Sequence, residues 1–138
     1  MQSINDFLTE DHRRLDELIE NFQEWKAKDL ARARGFLSQF AAGLHRHLLW
    51  EETIIFPAFE EASQGGLIRT LVAEHQEIRE WLQALTTRVE EDAASDCEET
   101  MLMEELGGHN GREEYALYPE LDKLLRDEEK ARILAALI

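Results

Sequence analysis

The stretch HLLWEETIIFP at residues 47–57 decides the fold, because its pattern returns 62 residues later as HNGREEYALYP at residues 109–119. Each copy has a histidine, a glutamate four residues later, a second glutamate directly after it, and an aromatic residue followed by proline. On a helix, residues i and i+4 project from one face. Each copy can therefore present an imidazole and a carboxylate to the same point.

An earlier feature is also repeated. Asp11-His12 corresponds to Glu74-His75 at an offset of 63 residues. The chain thus divides into two pseudo-repeats, at about 4–62 and 67–125, each with one early histidine and one later HxxxE pair.

Length and composition predict a single domain spanning residues 1–138. The sequence has few prolines and glycines and no long alternation of apolar and polar residues, which indicates helix throughout. Cys97 is the only cysteine, so an internal disulfide is impossible. No apolar run reaches the ~20 residues of a membrane span, and the first residues do not resemble a secretion signal. We therefore expect a cytoplasmic protein without a membrane partner.

The net charge of −15 repels phosphate backbones, and the 15 basic residues form no stripe. Nucleic acid is therefore not an expected partner. Most of the 30 acidic residues are expected to be solvated helix faces and not cation ligands.

Four segments carry apolar residues at steps of three and four, which predicts four amphipathic helices. Each stripe also contains at least one histidine. The stripes are Ile4, Leu8, His12, Leu15, Ile19 and Phe22; Ala33, Leu37, Phe40, Leu44, His47, Glu51, Ile54 and Ala58; Ile68, Leu71, His75, Ile78, Leu82, Leu85 and Val89; and Leu102, Leu106, His109, Glu113 and Ala116.

The breaks between these segments are short, at Lys26–Asp29, Ser63–Gly66 and Asp92–Asp96. Short connections make neighbouring helices antiparallel, so the sequence predicts an all-α, up-down-up-down four-helix bundle. Residues Arg126–Glu129 lead into a short C-terminal helical segment, Lys130–Ile138, which we expect to pack on the end of the bundle.

Two features interrupt the helical pattern. Pro57 and Pro119 lie inside helical runs, where each predicts a kink. Gly107, Gly108 and Gly111 surround His109, which indicates either a kink or close helix crossing, or a gap beside the site.

A single histidine on an apolar stripe is more often a hydrogen-bonded core residue than a metal ligand. Here four such histidines accompany two glutamates, and a buried carboxylate costs several kcal/mol unless it is paired or coordinated. A metal cluster compensates that cost. The candidate ligands are His12, His47, Glu51, His75, His109 and Glu113.

Two such helices facing each other let both glutamates bridge two ions. His12 and His47 would then complete one ion, and His75 and His109 the other. Six ligands leave open positions for a small molecule. Imidazole and carboxylate without thiolate suit iron, manganese, zinc or cobalt, and a carboxylate-bridged pair in a helix bundle favours two iron ions, with manganese or zinc as possible substitutes.

These motifs resemble the hemerythrin-like, or HHE cation-binding, domain family over roughly residues 4–125. The resemblance implies a four-helix bundle with a non-haem di-iron centre held by the six residues named above. Members of that family bind oxygen reversibly, sense oxygen, nitric oxide or iron, or protect damaged iron centres.

The sequence departs from the oxygen-carrying hemerythrins at one position. These have a further histidine one turn after the third-helix ligand, where this chain has Arg79, and Asp16 is the corresponding residue of the first half. The remaining histidine, His45, is expected at the surface or behind a ligand. Tyr115 stands two residues from Glu113, where a phenol can donate a hydrogen bond to a bound molecule. Like Tyr115 itself, three other aromatic residues near the motifs are expected to pack, with the lining of a dry pocket as the alternative; these are Trp50, Phe56 and Tyr118.

The favoured function is a di-iron module that binds or senses oxygen, nitric oxide or iron itself without turnover. The alternative is an enzyme-like role in oxygen or peroxide activation, or iron donation for repair of damaged iron centres. A purely structural bundle with incidental metal is the third possibility. The sequence does not indicate a protein partner.

Overall fold

The computed structural model describes residues 2–62 and 66–138. These ranges contain α-helices, two π-helical turns and no strand. The helices are α1 (Ile4–Trp25), α2 (Leu30–Trp50), α3 (Phe56–Ala62), α4 (Leu67–Glu90), α5 (Asp96–Arg112), α6 (Tyr118–Leu124) and α7 (Asp127–Leu137), with π turns at Glu51–Ile55 and Glu113–Leu117.

The predicted four-helix bundle is confirmed. α1 packs along α2, and α4 packs along α5, with α2 and α4 joining the two pairs. Asp29 caps α2 by accepting the Arg32 backbone N–H at 3.2 Å, which fixes the turn after α1. The predicted break at Ser63–Gly66 lies outside the described residues except for Gly66.

The start of α1 is hydrogen-bonded to α6, near the C-terminal end of the chain. The Asp122 carboxylate accepts the backbone N–H groups of Ile4 at 3.0 Å and Asn5 at 2.9 Å. A helix leaves its first N–H groups without intrahelical partners, and an acidic side chain there also complements the helix dipole. Asp122 on α6 therefore fastens the two halves at this end of the bundle.

The apolar core consists of two clusters. One contains Leu15, Ile19 and their neighbours towards the α1–α2 turn, and the other contains Ile4, Leu8 and the aromatic residues of α3 and α6. His12 lies on the α1 stripe between them. A polar layer therefore divides the core, and the apolar clusters on both sides hold its side chains in place.

Each π turn shifts the inward-facing register by one residue. The Phe56 N–H bonds to the Glu51 carbonyl, five residues back, so one extra residue enters the turn. Ile55 and Phe59 are consequently buried, while the predicted Ile54 and Ala58 are only partly buried. Extending the α-helical stripe past Glu51 was therefore wrong by one position.

The second copy shows the same shift. Tyr118 N–H bonds to the Glu113 carbonyl, and Leu117 is buried where the stripe predicted Ala116, which is exposed. Where the sequence predicted a kink at each proline, a π turn comes directly before it. Pro57 and Pro119 then fall in the first turn of α3 and α6, where a missing N–H costs little.

The C-terminal helix α7 starts at Asp127, three residues before the predicted start at Lys130. The Glu129 carboxylate accepts the Arg126 backbone N–H at 3.1 Å, which allows the helix to begin earlier. Leu137 of α7 is buried against the α3 and α6 end of the core. None of the helices in the described ranges is both long and apolar enough to cross a bilayer.

The glycines around His109 do not provide a close helix crossing. α5 runs without a break from Asp96 to Arg112. Gly107 and Gly108 are exposed, and a Cβ at Gly107 or Gly111 would have no neighbouring atom of another described element within 4 Å. A close helix crossing at Gly107 or Gly111 is therefore wrong, while the kink and the gap stay predictions.

The register shift makes a testable prediction about two adjacent isoleucines. Ile55→Ala should lower the free energy of unfolding by about 2–5 kcal/mol, because it leaves a cavity in the core. Ile54→Ala, as the matched control, should cause a clearly smaller loss because its side chain is partly exposed. Urea denaturation of both variants measures the difference, and a larger loss for Ile54→Ala would contradict the π turn.

Candidate metal centre

The structure brings together all six candidate ligands in the polar layer of the bundle. Four helices each supply one histidine, and each π turn begins with one of the glutamates. The exposed fraction of Glu51 and of Glu113 is 0%. The buried set is His12 of α1, His47 of α2, His75 of α4, His109 of α5, Glu51 and Glu113.

The six residues form two groups that share both glutamates. His12 and His47 belong to one group and His75 and His109 to the other, and within each group the potential ligand atoms lie within 4.8 Å of one another. The two imidazole rings are 4.7 Å apart in the first group and 4.8 Å in the second, between centroids. The grouping matches the division expected from the sequence.

Each glutamate directs its two oxygens towards different groups. Glu51 Oε2 lies 3.5 Å from His47 Nε2, while Oε1 lies 3.0 Å from His75 Nε2. Glu113 Oε1 lies 3.2 Å from His12 Nε2, while Oε2 lies 3.1 Å from His109 Nε2. This arrangement is that of carboxylates placed between two centres.

Every one of these histidines uses its other nitrogen, Nδ1, to donate to a carboxylate outside the two groups. An ionised carboxylate can only accept, so these bonds leave Nε2 facing the interior. The pairs are His12 with Glu114 at 2.8 Å, His47 with Asp11 at 2.7 Å, His75 with Glu52 at 2.8 Å and His109 with Glu74 at 3.0 Å.

Sequence reasoning assigned no role to these four outer carboxylates. The signal was present, because Glu52 and Glu114 are the repeated second glutamates of the motif, and Asp11 and Glu74 precede the early histidines. The two kinds of pairing differ. Asp11 and Glu74 hold a histidine of their own half, whereas Glu52 and Glu114 each reach across to the other half.

Three of the outer carboxylates are held by arginine. Arg14 donates to Asp11 at 3.0 Å, Arg79 donates to both oxygens of Glu52 at 2.7 and 2.8 Å, and Arg112 pairs with Glu74. Arg79 therefore points at Glu52 and not into the buried layer. No arginine contacts Glu114 within the described ranges, and Asp16 stands at the position that corresponds to Arg79.

Tyr118 is a further side chain that sequence reasoning did not assign to the site. Its hydroxyl donates to Glu51 Oε2 at 2.5 Å and lies 3.0 Å from Glu113 Oε1. Tyr118 was expected to pack, with the lining of a dry pocket as the alternative, and Tyr115 was the phenol considered for a hydrogen bond to a bound molecule. Tyr115 is 89% exposed, so it lies away from the buried layer. The residue that corresponds to Tyr118 in the first half is Phe56, which packs against His75 with ring centroids 5.1 Å apart.

Protons balance the charge of the buried glutamates in this arrangement. Burial alone lowers the pKa of His47, but Glu51 and the Asp11 bond together raise it to about 10. Burial is likewise outweighed at His109, where Glu113 and Glu51 raise the pKa to about 11. Burial and the two glutamates hold the pKa of Tyr118 well above its usual value. Two imidazolium groups therefore face two carboxylates.

The donor set fits metal cations. His109 Nε2 and Glu113 Oε2 are buried and have no hydrogen-bond partner among the residues that the structure describes, although they lie 3.1 Å apart. Leaving buried polar atoms unsatisfied is costly, whereas a shared cation satisfies both. Imidazole nitrogen with carboxylate oxygen suits first-row transition metals. Cys97 is exposed and His45 lies at the surface, so neither joins the set.

Comparison with known proteins points in the same direction. Residues 3–121 match the sequence model of the family described as hemerythrin HHE cation binding domain. A curated relative, an uncharacterized hemerythrin-like protein of Schizosaccharomyces pombe, is 29% identical over 139 residues, which covers 99% of this chain and 68% of the relative. No solved structure matches the chain significantly.

Cation binding should release protons. Metal ligation needs neutral imidazole, and with pKa values raised to about 10 and 11, His47 and His109 are protonated at pH 7. Metal affinity should therefore rise as the pH increases from 6 towards 9. Calorimetric titration with zinc in two buffers of different ionisation enthalpy measures the number of protons released, and equal heats in both buffers would contradict the charge balance described here.

The outer carboxylates should support metal affinity. Glu114→Gln removes the charged acceptor of His12 Nδ1 and is expected to weaken metal binding by about 10–100-fold. Glu120→Gln, an exposed acidic position on α6, is the matched control and should leave binding unchanged. Competition with a chelator of known affinity compares the two, and equal affinities would show that Glu114 does not tune the site.

Proposed function

The chain belongs to the hemerythrin HHE cation-binding domain family, and we propose from this premise that it holds two iron ions in a His/Glu-bridged site and uses them to bind or sense a small ligand. One group of four side chains surrounds each ion, and the two glutamates belong to both groups. The proposed ligands are His12, His47, Glu51, His75, His109 and Glu113.

The observation that carries this proposal is the division of the carboxylate oxygens. Glu51 and Glu113 each direct one oxygen to each group, at 3.0–3.5 Å from an imidazole nitrogen. A single ion would need only one group. Two fully buried carboxylates with divided oxygens support two ions with both glutamates as bridges.

The donor atoms do not saturate two ions. Two nitrogen donors and two shared carboxylate oxygens for each ion leave positions open, which is typical of a working site and not of a structural one. Iron in such a site supplies reversible binding of oxygen or nitric oxide and one-electron chemistry. The protein's own contribution is to hold Nε2 of each histidine inward through its Nδ1 bond.

The space beside the site limits the size of the ligand. A cavity of about 10 Å³ adjoins the site between α1, α2 and α5. That volume is about the minimum for one water molecule. Its polar residues are His12, His47 and His109 together with Asp16 and Asn110, and Leu15, Phe40 and Leu106 are among its apolar residues. A space of this size has no room for an organic substrate, and it supports a ligand as small as oxygen or nitric oxide.

Iron itself is the other candidate for the sensed species. Without cations, His109 Nε2 and Glu113 Oε2 face each other at 3.1 Å but make no hydrogen bond, so the buried charges of the metal-free bundle are compensated incompletely. Ligands that bind only the folded state stabilise it. The folded population would then depend on the availability of iron.

Metal analysis of three variants tests the ligand assignment. His47→Ala and Glu113→Ala should each lose stoichiometric binding of two metal ions per chain, because each removes a donor from the shared set. His45→Ala is the control, since His45 lies on the same helix α2 but at the surface. Element analysis after loading with ferrous iron gives the ratio, and two ions per chain in the Glu113→Ala protein would refute the bridging role.

Anaerobic loading with ferrous iron, followed by exposure to oxygen, separates binding from turnover. We expect an absorption change that reverses when oxygen is removed. An irreversible change with consumption of oxygen would instead support the enzyme-like alternative, in which the site activates oxygen or peroxide or releases iron for repair. A chain that keeps the same melting temperature with and without iron would support the purely structural alternative.

A further inference from the structure

The Tyr118 hydroxyl lies among the donor atoms of the His12 and His47 group. Its oxygen lies 2.5 Å from Glu51 Oε2, 3.0 Å from Glu113 Oε1, 3.2 Å from His47 Nε2 and 3.3 Å from His12 Nε2. These four atoms are donors of the His12 and His47 group. The phenol oxygen therefore touches every donor residue of one proposed cation position.

Besides hydrogen bonds, distances of this size also separate neighbouring ligand atoms of one ion. Metal–nitrogen and metal–oxygen bonds of about 2.1 Å place two ligand atoms at right angles about 3.0 Å apart. The four distances to the Tyr118 oxygen lie on both sides of that value. A side chain that only packed near the site would not bring its polar atom within 3.3 Å of four donors.

The hydroxyl also has more neighbours than it can satisfy as a hydrogen-bonding group. A phenol has one proton, and two carboxylates lie within hydrogen-bond reach of it. Donating to Glu51 leaves Glu113 facing the phenol oxygen without a proton between them. A cation shared by all three oxygens removes this conflict.

We infer that Tyr118 is a seventh protein ligand, whose phenolate oxygen binds the cation of the His12 and His47 group, and that the two cation positions are therefore chemically different. The inference rests on the proposed function. Phe56 stands at the corresponding position of the other group, where its ring packs on His75 and offers no oxygen. The phenol proton leaves to solvent on binding, as the imidazole protons do.

The two tyrosines of the chain make this inference directly testable. Tyr115 is exposed and Tyr118 is fully buried, and the sequence has no other tyrosine. A phenolate bound to ferric iron gives a charge-transfer absorption band in the visible region and tyrosinate vibrations in the resonance Raman spectrum. Tyr115→Phe leaves Tyr118 as the single possible source of both.

The experiment compares the wild-type chain, Tyr115→Phe and Tyr118→Phe after loading with ferrous iron and oxidation by ferricyanide, with iron content measured on the same samples. Both the wild-type chain and Tyr115→Phe should show the band and the tyrosinate vibrations at about equal intensity per iron. Tyr118→Phe should lose both completely while it retains iron. Circular dichroism checks that this variant is helical.

The outcomes separate the inference from the proposed function. If the Tyr115→Phe protein carries two irons per chain but shows neither band nor tyrosinate vibration, Tyr118 is not a ligand and the inference is overturned while the proposed function stands. Iron content well below two per chain in the wild-type protein overturns both. If Tyr118→Phe does not fold, the spectrum of Tyr115→Phe decides alone, because Tyr118 is then the only tyrosine present.

Discussion

Two carboxylates without solvent exposure at the centre of a helix bundle are the constraint from which the rest of the structure follows. Glu51 and Glu113 are 0% exposed, and an uncompensated charge there costs several kcal/mol. Compensation is built in layers. Four imidazoles surround the two glutamates, four carboxylates hold the imidazoles, and arginines hold three of those carboxylates. Charge of alternating sign thus extends outward from the centre to the surface.

The π turns also shape the surroundings of the two buried glutamates, because each turn brings the aromatic residue of its motif to the centre of the bundle. In an α-helix, a residue five positions after Glu113 would point about 140° away from it, since each residue turns by about 100°. A π turn closes on the fifth residue instead, so Tyr118 lies on the side of Glu113. The same turn brings Phe56 to the side of Glu51. A regular helix would hold the glutamates but leave the aromatic residues elsewhere.

The sequence predicted the bundle and the six inward residues because the stripes are regular up to each glutamate. Ile4 to Phe22 on α1 and Ile68 to Val89 on α4 follow the α-helical period without interruption, and all of these stripe positions are buried. Beyond Glu51 and Glu113 the helical period changes, and no residue pattern in the sequence indicates a π turn. The extended stripes therefore did not include Phe59 and Tyr118 among the inward-facing residues. The cross-half bonds of Glu52 and Glu114 depend on how the helices face one another, which a periodicity within one helix does not contain.

The two halves resemble each other at the six central positions and differ just outside them. These differences concern the charge and the aromatic residue next to each group of donors. On the His75 side, Arg79 neutralises Glu52 and the aromatic residue is Phe56. On the His12 side, Glu114 contacts no arginine in the part of the chain that the structure describes. The carboxyl of Asp16 also lies near, and burial, Glu20 and Glu114 raise its pKa against the opposing effect of His12. The His12 position therefore has a carboxylate beside it without an arginine partner among the described residues, whereas both outer carboxylates at the His75 position have one. A phenolate from Tyr118 adds to the same difference, so the pseudo-repeat provides a symmetric frame in which the two positions are not equivalent.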